Sequence, residues 1–179
     1  MSPAARQPRF VETALAVALA ALLAVSVCSA SQDSQKAVNA NAGREEDEIK
    51  QLISMYAKAA DDADPTLASR IWCDSSEDSL INPVGRWHGV EEIMSFYRHD
   101  MGETYSSRNL KITDTHIRVY TDAAWAEFNW DFSAKRRKEG SSVSFRGMET
   151  QIYQKNRDRW CLVHVHYSAL PAEKKAGTE

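Results

Sequence analysis

Apolar residues recur along the chain at two spacings, and the change from one to the other divides it. Ile49, Leu52, Ile53 and Tyr56 fall at i, i+3, i+4 and i+7, which is one stripe of a helix. Glu45, Glu46 and Asp47 occupy its first turn, where negative charge suits the helix dipole. Asp64-Pro65 then reads as an N-cap followed by proline at the first helical position, opening a short helix that turns Leu67 and Ile71 inward. Asp74 to Asp78 is polar and turn-like. A strand over Ser79 to Asn82 ends at Pro83-Val84-Gly85. The helical spacing returns with Ile93, Met94, Tyr97 and Met101, bounded by Gly89 and Gly102. Beyond it the period is that of strands: Leu110 to Tyr120, Ala124 to Ser133, Val143 to Lys155, and Trp160 to Ser168, with turns at Thr121-Asp122 and Asn156-Arg157-Asp158 and a stop at Pro171. Helices first and a long antiparallel meander after them predict an α+β fold. In it, helices pack on one face of a curved sheet that encloses a cavity.

The N-terminus carries a different pattern. Arg6 and Arg9 precede an apolar run from Ala14 to Val27, then Cys28-Ser29-Ala30. A basic start, a short apolar core and a small-residue exit make a secretory signal peptide, with cleavage expected after Ala30. Val27 is a poor residue before a lipid-modified cysteine, so lipidation of Cys28 is the lesser alternative. Residues 31–44 lack periodicity and read as a flexible linker. That leaves 45–171 as the domain and 172–179 as a disordered tail. The expected destination is the periplasm or the exterior, with no membrane contact after cleavage. Cys73 and Cys161 remain in the mature chain; in an oxidising compartment they can pair, or they can stay as two buried thiols.

A length of 179 residues is one domain's worth, and a formal charge of −3 supplies no basic field for nucleic acid. The run Lys135-Arg136-Arg137-Lys138, followed by Glu139-Gly140, reads as a solvated hairpin tip. Nothing has zinc-ligand spacing, and no metal or cofactor is expected.

Two stretches carry a resemblance. Met148-Glu149-Thr150-Gln151-Ile152-Tyr153, a turn, then Arg159-Trp160-Cys161-Leu162-Val163-His164-Val165-His166-Tyr167-Ser168 resembles the end of the association (hub) domain of calcium/calmodulin-dependent protein kinase II and of SnoaL-like proteins. Both belong to the nuclear transport factor 2-like superfamily. The order of elements over 45–171 agrees. The resemblance implies a cone-shaped domain, dimeric or larger, with a pocket between helices and sheet. Asn82-Pro83-Val84-Gly85, Gly89 and Phe96-Tyr97 are similar, more weakly, to ketosteroid isomerases of the same superfamily. That likeness puts Tyr56 at the oxyanion-hole tyrosine and the second oxyanion donor near Glu149 or Thr150, the alignment slipping there by one residue. It puts Asn82 where those enzymes have their aspartate base, and an amide cannot abstract a proton.

The hub's pocket arginines correspond to Asn129, Gln151 and Tyr167, so its basic character is absent. The same parity turns Trp125, Glu127, Asn129, Asp131, Glu149, Gln151, Tyr153 and Tyr167 inward. Phe128, Trp130, Phe132, Met148, Ile152, Leu162, His164 and His166 then form an aromatic outer face suited to a homodimer or higher homo-oligomer. A slip of one residue exchanges the two sets. The candidate ligand-binding residues are Tyr56, Asn82, Trp87, Glu127, Asn129, Glu149, Gln151 and Tyr167. Glu149, Glu127 and Tyr56 are the candidates for catalysis. Glu127 and Glu149, if neighbours, would raise one another's pKa; the alternative is a structural hydrogen bond for Glu149 and a solvated Glu127. His164 and His166 share a face, but without a third ligand an interface role is preferred to a metal. Three functions stay open: binding of a small polar or mixed-polarity molecule, lyase- or isomerase-type catalysis by a cavity carboxylate, and hub-like assembly without a ligand.

Overall fold

The computed structural model describes residues 40–171. The signal-peptide and tail segments, and most of the linker, lie outside those residues. The chain divides into two units, Met1–Arg44 and Glu45–Glu179. In the first, residues 40–44, expected in a flexible linker, are helical, with Arg44 donating to Asn41 Oδ1 at 2.9 Å. The second unit carries the fold.

Helix α1 covers residues 45–62 of this unit. Its predicted stripe is the buried one: Ile49, Ile53 and Tyr56 lie in the core. Helix α2, Pro65–Ser69, opens as expected, with Asp64 Oδ1 accepting the Thr66 and Leu67 amides at 2.8 and 3.0 Å. This cap satisfies two amides that the first helical turn leaves without partners. Strands β1 (Ser79–Asn82) and β2 (Gly85–His88) form a hairpin. The hydrophobic pattern predicts no strand at the second of these. Helix α3, Gly89–Ser95, runs into a π-helix over Phe96–Glu103, where an uninterrupted α-helix was expected. The wider turn accompanies burial of two successive aromatics, Phe96 and Tyr97, which an α-helix would set about 100° apart.

Four long strands follow: β3 (Tyr105–Val119), β4 (Ala123–Arg136), β5 (Ser142–Asn156) and β6 (Arg159–Ala169). They pair antiparallel in sequence, and β1 joins parallel to β6, giving one six-stranded sheet in the order β2-β1-β6-β5-β4-β3. This is the predicted α+β architecture.

The register corrects the predicted facing of β4. Phe128 lies opposite Glu149, Trp130 opposite Gly147 and Phe132 opposite Phe145. Each odd-numbered β5 residue therefore shares a face with an even-numbered β4 residue. Phe128, Trp130 and Phe132 point into the domain, and Trp125, Glu127, Asn129 and Asp131 point out. The physical reason is apolar area: the even set is the one that gains from leaving water. In β5 the expected parity holds, with Glu149, Gln151 and Tyr153 buried and Met148 and Ile152 exposed. In β6 a register shift interrupts the alternation: Ile152 faces His164, yet Tyr153 faces Leu162, so Val163 is the extra residue of a bulge. The bulge turns Leu162 inward, against expectation, and leaves His164 and His166 outside as predicted.

Cys73 and Cys161 form a disulfide, with Cα atoms 5.0 Å apart. It ties the segment after α2 to β6, where Cys73 N also donates to the Leu162 carbonyl at 3.0 Å. Arg108 fastens the helical layer to β3. Its Nε donates to the carbonyls of Ala60 and Asp61 at the end of α1, and its Nη1 to those of Met101 and Tyr105. The basic hairpin tip is partly anchored too: Arg137 Nη2 donates to the Gly102 and Tyr105 carbonyls.

Candidate functional site

Between α1, the π-helix and the inner face of the sheet lies a cavity of about 450 Å³. Successive inward positions build it. The row Phe128–Glu149–Tyr167 crosses β4, β5 and β6, followed by Trp130–Gly147–Ala169 and then Phe132–Phe145. Gly147 is required by close approach: a Cβ there would overlap the Ser168 carbonyl and the Trp130 indole. The missing side chain lets Trp130 lie over β5, its ring edge-to-face with Tyr167 at 5.6 Å. Phe96, Met101 and Leu110 complete apolar walls, while Asp100, Thr104 and Arg136 add polar groups to the lining.

Glu149 is the one carboxyl in this lining that is nearly wholly buried, at 4% exposure. Loss of water pushes its pKa up to about 7, although hydrogen bonds from Gln151 and Tyr56 favour the charged form. Gln151 Nε2 donates to Glu149 Oε1 at 2.7 Å. Tyr153 in turn donates to Gln151 Oε1, which fixes the amide's orientation. The result is a buried chain Tyr153–Gln151–Glu149 along one face of β5, with Tyr56 reaching the same carboxylate from α1. Burial and the nearby Glu149 charge hold the Tyr56, Tyr97 and Tyr167 hydroxyls well above the usual phenol range, so all three stay protonated. Asn82 spends its carbonyl oxygen on the Val84 and Gly85 amides and donates Nδ2 to Tyr167 Oη at 2.8 Å. Chemically the site offers a carboxyl poised to exchange a proton near neutral pH, set among neutral hydroxyls and apolar walls.

Of the residues singled out in the sequence, Tyr56, Asn82, Glu149 and Tyr167 line this cavity. Gln151 sits behind Glu149, fully buried. Trp87 packs on Phe96, ring centroids 4.8 Å apart, and so backs the wall. Glu127 and Asn129 lie on the opposite face of the sheet, where they line a second pocket of about 460 Å³ with Asp114, to which Asn129 donates at 2.9 Å. Glu127 pairs with Thr150, so the two glutamates do not repel one another and burial alone raises Glu149. The cavity is therefore less polar than expected. Tyr97, Trp130 and Phe132 were missed as lining residues. The helical spacing places Tyr97 in a core stripe, and the predicted parity of β4 places the two aromatics on the other face. The rule that large apolar side chains go inside would have recovered the latter pair.

The sequence matches the SnoaL-like domain family over residues 49–173. It is 40% identical to a nuclear transport factor 2-like superfamily protein from Salmonella enterica serovar Typhimurium, with a TM-score of 0.68 over 74% of this chain and 95% of that one. A proposed dehydratase of the same superfamily from Streptomyces avermitilis is 17% identical, with a TM-score of 0.65 over 73% and 99% of the two chains. A proposed calcium/calmodulin-dependent protein kinase II association domain from Xanthomonas campestris is 17% identical, with a TM-score of 0.59 over 69% and 86%. The last two likenesses concern the fold alone. A search of curated proteins found no match.

Proposed function

The chain belongs to the SnoaL-like domain family of the nuclear transport factor 2-like superfamily, and on that premise we propose that it is an exported domain binding one small molecule of mixed polarity in its cavity. The observation that carries this reading is Glu149. A carboxyl buried in an apolar lining costs stability, and packing alone gives no reason to keep it. A ligand that engages the polar floor does. Export is supported by the N-terminal pattern and by the Cys73–Cys161 disulfide, which suits an oxidising compartment. The test is native mass spectrometry of protein purified from its own compartment. A stoichiometric small mass, lost on Glu149→Ala, is the expected result; an empty cavity in wild type refutes binding. N-terminal sequencing of the same sample should begin near Ser31.

A second reading follows from one further observation, the rise of the Glu149 pKa to about 7. That value suits a general base in a lyase or isomerase, and the likeness to a proposed dehydratase is compatible with it. Catalysis of this kind should rise with pH through about 7 and vanish in Glu149→Gln. Assembly belongs to the proposal as well. Met148 at 52% exposure and Ile152 at 40% lie on the free face of the sheet, where a second copy would cover them. Paired Met148→Glu and Ile152→Glu changes should yield a monomer in sedimentation; an oligomer that persists places the interface elsewhere.

A further inference from the structure

The basic hairpin tip, expected to be solvated, gives one of its side chains to the cavity. Phe128, Trp130, Phe132, Ala134 and Arg136 are successive inward positions of β4, so the alternation that buries the aromatics also turns Arg136 toward the domain. Arg136 is half-buried and lines the cavity. Its guanidinium makes no hydrogen bond or ion pair among the described residues. Arg137, the next residue, and Arg108 spend theirs on backbone carbonyls.

The cavity is polarised along its length. Glu149 lies opposite Phe128, and at about 3.3 Å per residue roughly 26 Å of strand separates that row from Arg136. Asp100, the other carboxyl in the lining, acts on Tyr167, which pairs with Glu149. The charge that acts on Asp100 is that of His99, and neither carboxyl is paired with Arg136. Between the two ends lie Trp130, Phe132 and Phe145. Exposure rises from 4% at Glu149 to 43% at Phe145, which marks the Arg136 end as the open one. A guanidinium drawn partly out of water costs stability unless an anion meets it, and its planar fork fits a carboxylate or a phosphate. We infer that the ligand is an amphipathic anion, its apolar body against Trp130, Phe132 and Phe145 and its anionic head on Arg136. This rests on the cavity being the binding site and names the class of molecule it takes.

The test is calorimetric titration of wild type, at about pH 8, with three probes of one chain length: decanoate, 1-decanol and decylammonium. Decanoate should bind about tenfold more tightly than the alcohol, the value of one hydrogen bond to a charged group. Arg136→Gln should erase that preference and leave 1-decanol binding unchanged, which also shows the variant's cavity to be intact. Arg136→Lys should keep part of the preference, because it retains the charge without the fork. Equal binding of acid and alcohol to wild type, or tightest binding of decylammonium, overturns the inference and leaves the cavity reading standing. Equal loss of acid and alcohol in Arg136→Gln assigns Arg136 to the wall and overturns it too. Failure of all three probes to bind also overturns the inference, and native mass spectrometry then judges the cavity reading alone: a bound small mass keeps it and an empty cavity ends it. The ligand released from wild type should be an anion, and its mass tells a free single-chain acid from a two-chain membrane lipid; a neutral or cationic compound sinks the inference.

Discussion

Replacing Glu149 by glutamine should remove most of the fold's pH dependence between about 4.5 and 7, and the sign of the change follows from burial. The carboxyl has an ordinary pKa of 4.5 when unfolded and about 7 in the folded state. Across that window the folded protein holds a proton that the unfolded chain has released. Stability therefore falls as pH rises through the window and levels off above the folded pKa, the opposite of an ion-paired carboxylate. At 1.36 kcal/mol per pKa unit, the difference amounts to about 3 kcal/mol between acid and mildly alkaline solution. Glutamine keeps the shape and the oxygen that Gln151 reaches, and carries no charge. Glu149→Gln should match wild type near pH 4.5 and exceed it by about 3 kcal/mol near pH 8. Urea denaturation of both proteins across this range, with the disulfide intact, measures it. Subtracting the two curves cancels other groups: Asp61, Asp78 and Asp100, raised by partial burial, act with the same sign, and His164, lowered by burial, acts with the opposite one. Parallel curves for the two proteins would refute the claim that Glu149 is held near neutrality.

The remaining predictions concern the frame around the site. Gly147→Ala should destabilise by about 3 kcal/mol, since a methyl there meets backbone as well as Trp130, and a Gly147→Ala, Trp130→Phe double variant should recover only part of the loss in chemical denaturation. Removing the disulfide with paired serines should cost about 4–5 kcal/mol from a sequence separation of 88 residues, seen as a lower urea midpoint than that of the oxidised wild type. Arg108→Ala deprives four carbonyls of a charged donor and should cost about 3 kcal/mol; Arg108→Lys should restore little, because one ammonium cannot span the ends of α1 and the π-helix.

Most of the architecture was legible because it rests on local signals. The Ile49–Tyr56 stripe, the Asp64-Pro65 cap and the four strand segments each carry their own period or end signal, and each appears where expected, except that β3 begins at Tyr105, five residues before the expected Leu110. Less was legible where one element depends on another. Residues 85–88 hold two charged or polar side chains, a tryptophan and a glycine, and become a strand because β1 lies beside them. The π-helix begins at two successive aromatics, Phe96 and Tyr97, that are both buried, and the apolar spacing along the chain does not announce the wider turn. The disulfide depends on a parallel approach of the segment after α2 to β6, a contact that no spacing along the chain records.

The site shows the same division more sharply. Alternation tells which residues of a strand share a face, but only the neighbouring strand tells which face is inside. On β4 the two alternatives were Trp125-Glu127-Asn129-Asp131 and Phe128-Trp130-Phe132, and residue type alone favours burying the second. The family likeness argued for a polar cavity and so for the first. On β5 the same likeness was right, because there the polar set truly is inside: Glu149, Gln151 and Tyr153 are buried while Met148 and Ile152 are exposed. Two adjacent strands thus obey opposite rules, and the difference separates packing from function. Phe128, Trp130 and Phe132 are inside because water expels them. Glu149 and Gln151 are inside against their solvation, each held by hydrogen bonds that end at one point of the cavity. Burial that hydrophobicity cannot account for is what marks Glu149 as the centre of the site.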